Sequence, residues 1–132
     1  MSVGDGDTIR VSRDEETITV RLACIDAPEM AQAPYGQQSK TQLQSLLSAN
    51  PEVVLRTIDI DRYDRLVAEI FSQGVNINLS LVQSGYAVAY RRYLDNCDRS
   101  SYLDAEQSAQ DNGLAFWSNP NLMMSWDFRR QN

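Results

Sequence analysis

The stretch Arg21-Leu22-Ala23-Cys24-Ile25-Asp26-Ala27-Pro28-Glu29 has the pattern of a strand running into a tight turn, and it carries one cation and two carboxylates. Side chains alternate along a strand, so Ile18, Val20, Leu22 and Cys24 share one apolar face and Arg21 points away from it. Pro28 fixes its own φ and biases Ala27 towards extended backbone, which predicts a break in the strand at Asp26. Asp26 and Glu29 then stand where the strand opens onto a loop. Taken alone, such a site is commonly a strand end with solvated charges; its weight comes from the rest of the chain.

A chain of 132 residues suits one domain, expected to span residues 1–132, and is long enough to bury a core. Charged residues make up 23% and hydrophobic ones 42%, an ordinary globular composition. The net charge of −6 argues against a diffuse basic surface for nucleic acid. Of the twelve cations, eleven are Arg and only Lys40 is Lys. Arg grips carboxylate and phosphate in bidentate fashion and stays charged when partly buried, which suits a few dedicated anion contacts. There is no histidine, so Ser-His and Cys-His triads and His-ligated zinc are excluded, and two cysteines cannot form a four-cysteine zinc site. No run of eighteen apolar residues occurs, so no membrane span is expected. No signal peptide is visible, yet dense motif begins almost at once, so any targeting segment is expected to have been trimmed away.

Along the chain, Val3-Gly4-Asp5-Gly6-Asp7-Thr8-Ile9-Arg10-Val11 reads as a Gly-Asp turn leading into a strand, with Asp7 in phase with Ile9 and Val11 at its open end. Residues 12–16 read as a hairpin turn into the Arg21 strand, and residues 30–36 as a loop. A helix is expected over 37–49, with Leu43, Leu46 and Leu47 on one stripe. Strands are expected over 53–58 and 66–71, joined by the charged turn Ile60-Asp61-Arg62-Tyr63-Asp64-Arg65. Asp59, Asp61 and Asp64 do not form an EF-hand, because the sixth position is Asp64 in place of Gly and the twelfth is Ile70 in place of Glu. A helix over 75–84 should end at Gly85 in the left-handed cap position, a short strand should cover 86–90, and Arg91-Arg92-Tyr93 leaves it. The last expected helix is 100–112, capped by Ser and closed by Gly113. Trp117, Trp126 and Phe128 in the tail read as packing residues. The order is that of a mainly-β α+β fold, a five-stranded, partly open OB barrel with three α-helices.

Asp5-Gly6-Asp7-Thr8, Arg21-Leu22 through Ile25-Asp26-Ala27-Pro28-Glu29, and Asp61-Arg62-Tyr63-Asp64-Arg65 together resemble the motifs of the staphylococcal nuclease (thermonuclease) family. The likeness extends through Tyr35-Gly36, Gly85-Tyr86-Ala87 and Ala115-Phe116-Trp117, over nearly the whole chain. It implies the OB barrel and a monomeric, calcium-dependent endonuclease that hydrolyses DNA and RNA to 3′-phosphate products. By motif, Asp7 and Asp26 would ligate Ca²⁺ with the backbone carbonyl of Ala27, Glu29 would act on the attacking water, and Arg21 and Arg65 would bind the scissile phosphate. Tyr63, Tyr90 and Arg62 are further candidate substrate contacts, although the two tyrosines could equally cover the barrel mouth. Two departures stand out: the family often has Thr at the position of Ala27 and Gly at that of Asp64. The second could stiffen the turn carrying Arg65.

These residue types make chemical sense. A phosphodiester repels nucleophiles, so its hydrolysis depends on positioning and on neutralising charge. Hard oxygen ligands suit Ca²⁺, arginine forks follow charge as it spreads over phosphate oxygens, and one further carboxylate can orient or deprotonate water. The rival reading is a catalytically weak or inactive OB-type module that binds nucleic acid or protein; such relatives lose the carboxylates or arginines, whereas this chain keeps all five. Cys24 and Cys97 could lie near one rim as a disulfide or stand as independent thiols, because sequence does not establish proximity. An even cysteine count and the secreted type of the resembled family favour the bond, and with it a secreted, periplasmic or cell-surface location.

Overall fold

The computed structural model describes residues 1–48, 50, 52–119 and 123–131. Its main sheet follows the path β1 (Ser2–Asp5), β2 (Thr8–Arg13), β3 (Glu16–Leu22), β6 (Leu66–Ser72) and β5 (Val54–Ile60), with β7 (Val75–Asn76) added to β6. Neighbours are antiparallel except β3 and β6, which run parallel with Arg21 opposite Val67. Helix α1 (Tyr35–Ser48) is inserted between β3 and β5, as the OB-type order requires. A separate two-stranded ladder pairs β4 (Ile25–Asp26) with β8 (Val88–Ala89). Helices α2 (Ile77–Gln83) and α3 (Arg99–Asp111) pack together, and Ile9, Val20, Leu22, Leu43, Ile70, Leu81, Leu94 and Tyr102 fill the core.

Several boundaries differ from expectation, each for a local reason. A strand, β1, precedes the Gly6-Asp7 turn, because Ser2 and Val3 pair back onto Arg10 and Ile9. The β2–β3 hairpin closes through only Asp14 and Glu15, both at positive φ (52° and 67°), the conformation that matches strand twist in a two-residue turn. The Arg21 strand stops at Leu22, because Cys24 takes a positive φ of 68° and turns the chain before β4. The expected break at Asp26 is present as the end of β4. Helix α1 starts at Tyr35, two residues earlier than expected, while its expected end at Ala49 lies outside the described residues. Strands β5 and β6 extend to Ile60 and Ser72. Val75 and Asn76 form strand, and the Asn76 side chain then caps α2 by accepting the Leu79 N–H. Gly85 does take positive φ, at 83°, just after that helix. Of residues 86–90 only Val88 and Ala89 are laddered. Helix α3 is capped by Asp98 where Ser100 was expected, since a carboxylate there accepts from Ser101 N–H and from both serine hydroxyls.

The largest correction is in the tail. Beyond the three expected helices lies a fourth, α4 (Ser125–Gln131). Seven residues are too few for a legible helical period or for independent stability, so tertiary contacts must hold it. Those contacts fall on the functional site.

Candidate functional site

Asp7 sits at the Gly6-Asp7 turn and is 8% exposed. Its backbone carbonyl accepts the Leu22 N–H at 2.8 Å, and its Oδ2 accepts the Ala27 N–H at 2.9 Å. One residue thus joins the β1–β2 turn, the end of β3 and the loop after β4. Gly6 permits this approach: a Cβ there would stand 2.7 Å from the Cβ atoms of both Ala27 and Ser39. Behind the site, fully buried Asn78 locks the Ala23 turn onto β6, donating to the carbonyls of Ala23 and Ala68 and accepting the Ile70 N–H.

Arg21 points off the apolar face, as the alternation predicts, and lies against both carboxylates: Nη1 is 3.5 Å from Asp7 Oδ2 and Nη2 3.6 Å from Asp26 Oδ1. It also donates to the carbonyls of Leu22 and Ile25 across the turn. Asp26 is 1% exposed. Burial pushes its pKa up, and the Arg129 hydrogen bond and Arg21 charge only partly oppose this. Arg129, from α4, puts Nη2 2.9 Å from Asp26 Oδ2, and its Nη1 reaches Glu29 Oε1 at 2.5 Å. The hydrogen bond to Asp26, and more weakly that to Glu29, holds the Arg129 guanidinium charged well above its ordinary range despite the opposing effect of burial. Ser125, also from α4, donates its hydroxyl to the Ala27 carbonyl at 2.8 Å.

Glu29 is set by a tight loop. Its N–H donates to Gln32 Oε1 at 2.7 Å, Gln32 N–H returns to the Glu29 carbonyl at 2.8 Å, and Gln32 Nε2 reaches the Met123 carbonyl. Gly36, at the start of α1, packs so closely beneath this loop that a Cβ would lie 2.1 Å from the Glu29 carbonyl oxygen.

Arg65 belongs to a second part of the site. Asp61 accepts the N–H groups of Tyr63 and Arg65 on Oδ1 and the Arg65 Nε–H on Oδ2 at 2.7 Å. Burial pushes Asp61 up, but these N–H groups and the guanidinium outweigh it and hold the carboxyl below its ordinary value. Arg62 and Arg65 both lie over the Tyr63 ring, 5.0 and 5.5 Å from its centroid. Asp64 has a φ of 60°, so the turn needs the left-handed conformation that Gly adopts freely and Asp tolerates. A cleft of about 590 Å³ is lined by Arg21, Arg62, Tyr63, Arg65 and Tyr90 among others. Arg21 is the residue common to this cleft and the carboxylate group. Cys24 and Cys97 are joined as a disulfide that fastens the Arg21 turn to the segment before α3.

Asp7, Arg21 and Asp26 are therefore brought together, Glu29 is linked to them through Arg129, and Arg65 shares only the cleft. Arg129, Ser125, Gln32 and Asn78 were not foreseen. Each acts from a distant part of the chain or through a buried amide, and none belongs to a local motif. Among the described residues no cluster of three or more Asp, Glu, Cys or His side chains is arranged to hold a metal. The expected ligand set lies against the guanidinium groups of Arg21 and Arg129 and consists of two carboxylates and a carbonyl, all hard oxygens. That chemistry fits a hard divalent cation such as Ca²⁺. Ser125 uses one lone pair of the Ala27 carbonyl and leaves the second.

The OB-type sheet thus carries turn-borne carboxylates on one side of Arg21 and an arginine-lined cleft on the other, and arginine forks are groups whose geometry matches carboxylate and phosphate anions. Comparison with known proteins gives the family: the staphylococcal nuclease homologue family matches residues 19–119, and the chain belongs to it. A Haemophilus influenzae protein named as an uncharacterized endonuclease is 39% identical over 132 residues, covering 99% of this chain and 71% of that protein. A micrococcal nuclease of Shigella flexneri is 38% identical, covering 96% of this chain and 76% of its own length. Protein ParB of Escherichia coli is 33% identical over 136 residues. These relatives support a nuclease function. The family match stops before α4.

Proposed function

We propose that the chain is a calcium-dependent endonuclease that hydrolyses phosphodiesters of DNA and RNA and leaves 3′-phosphates. The observation that carries this reading is the position of Arg21, between the Asp7–Asp26 pair and the cleft that also holds Arg65. Asp7, Asp26 and the Ala27 carbonyl hold the ion, which when bound supplies charge neutralisation and polarisation of a phosphate oxygen. Arg21 and Arg65 take the scissile phosphate in the cleft, where their forks follow the charge developing on its oxygens. Glu29 orients or deprotonates the attacking water. Tyr63, Tyr90 and Arg62 contact the flanking sugar or base.

The Cys24–Cys97 bond supports an oxidising compartment, whether secreted, periplasmic or cell-surface. No helix among the described residues is long and apolar enough to cross a membrane.

The test is digestion of single-stranded DNA and RNA with calcium, with chelator and with magnesium, followed by analysis of the product ends. Calcium-dependent cleavage to 3′-phosphates is expected. Cleavage that ignores chelation would sink the metal assignment, and binding without cleavage under every condition would indicate a binding module.

A further inference from the structure

A second cleft of about 560 Å³ is lined by Tyr90, Arg91, Trp126, Arg129 and Arg130. Its wall residues are three cations and two aromatics, on a chain whose net charge is −6. Tyr90 lines both clefts, so the two adjoin at its side chain. Arg129 anchors one wall directly on Asp26 and Glu29, so the groove opens beside the carboxylates.

The cations differ in how firmly they are held. Arg91 is paired with buried Glu106 and keeps its side chain 57% exposed. Arg130 is 77% exposed and among the described residues pairs only with Asp127, one turn away on the same short helix, at 3.0 Å. An exposed pair of this kind contributes little, so an incoming phosphate can displace Asp127 at small cost. Trp126 meets Tyr90 edge-on with ring centroids 5.7 Å apart, and Tyr90 meets Tyr93 at 5.1 Å. Cations beside aromatic walls are the chemistry that recognises a nucleotide of an unpaired strand: arginine takes the backbone phosphate and an indole takes the base or sugar.

We propose that α4 and the segment after β8 form a polynucleotide subsite, which binds a nucleotide of a single strand adjoining the scissile phosphate through Arg91, Arg130 and Trp126. This rests on the nuclease reading of the neighbouring cleft. It extends that reading by giving the tail beyond the family match a binding role, and by making affinity depend on strand length.

The experiment measures binding of fluorescein-labelled dinucleotide and decanucleotide single strands by anisotropy, in chelator to prevent cleavage, over a range of salt. The unaltered chain should bind the decamer more tightly than the dimer. Arg130→Gln should lose roughly threefold to tenfold in decamer affinity and lower the salt slope by about 0.7 to 1, while Arg13→Gln, the same charge change at the distant hairpin, should have no such effect. Trp126 provides a second readout in a Trp117→Phe background, where the decamer should quench its emission and the dimer should not. Decamer binding by Arg130→Gln equal to that of the unaltered chain, or flat Trp126 emission, would overturn the subsite while leaving calcium-dependent cleavage intact. If the unaltered chain neither binds nor cleaves the decamer, the nuclease reading itself fails and the subsite falls with it.

Discussion

The guanidinium of Arg129 forks onto Asp26, with Nη2 2.9 Å from Oδ2 and Nη1 3.4 Å from Oδ1, across 103 residues of chain. The same Nη1 holds Glu29. Arg129→Ala should leave Asp26 buried with Arg21 alone and let Glu29 swing, lowering kcat by roughly tenfold or more and stability by about 1–3 kcal/mol. Arg129→Lys should restore stability better than rate, since it keeps the charge but loses the fork. Rates at saturating substrate and urea midpoints check this. A rise in rate at low calcium for Arg129→Ala would show instead that the side chain obstructs the site.

Asp7 and Glu29 should separate by role. Asp7→Asn removes a negative charge from the proposed ligand set and should mainly weaken metal binding, so much of its activity returns at high calcium. Glu29→Gln should keep metal affinity but lose roughly 10²- to 10⁴-fold in turnover, which calcium does not restore. Calcium titrations of rate for each variant decide the matter. Rescue of Glu29→Gln, with none for Asp7→Asn, would reverse the two assignments.

Asp61 organises the turn that aims Arg65, and its pKa is lowered. A lowered carboxyl stabilises the fold above its unfolded pKa, near 3.8, and that stability is lost as pH falls through the folded value. Asp61→Ala should therefore cost about 1 kcal/mol at pH 7, with the difference from the unaltered chain shrinking below about pH 4. Activity at pH 7 should fall as well, because Arg65 loses its Nε anchor. Paired urea melts at both pH values test the sign.

Gly36→Ala should act on Glu29 without touching substrate. The added methyl would overlap the Glu29 carbonyl and push the loop outward, costing about 1–3 kcal/mol in the manner of overpacking. Turnover should drop with little change in calcium affinity. An unaltered turnover would mean that the loop position does not govern the water.

Reducing the Cys24–Cys97 bond opens a loop with a sequence separation of 73 residues. The chain-entropy model then gives a loss of roughly 4 kcal/mol. The Cys24→Ser/Cys97→Ser variant should show the same loss in urea, and adding reductant to it should change nothing further.

Local chemistry made much of this protein legible from its residues. Side-chain alternation put Arg21 opposite the apolar face, Pro28 ended the strand at Asp26, and the turn residues around Gly6 and Gly85 marked where the chain reverses. The three motifs placed Asp7, Arg21, Asp26, Glu29 and Arg65 in one family pattern, because each motif is a contiguous run whose backbone conformation depends on its own side chains. Boundaries were less legible where pairing decides them: β1 exists only because Arg10 lies opposite Ser2, and the turn at Cys24 breaks a strand whose alternation continues past it.

Tertiary structure alone decided how the parts meet. Nothing in the spacing of Ser125 and Arg129 indicates that they reach Ala27, Asp26 and Glu29, since a seven-residue helix has too little periodicity to declare its buried face. The Cys24–Cys97 bond and the Asn78 lock likewise join residues far apart in sequence, where proximity depends on how the whole chain packs. Burial shifts titration as well: the pKa values of Asp5 and Asp26 rise chiefly because the fold removes them from water, with the neighbouring charge of Asp7 adding to the first and that of Glu29 to the second. Local sequence specified which groups are present and which way the backbone turns, while desolvation and long-range packing determined which of those groups share a site.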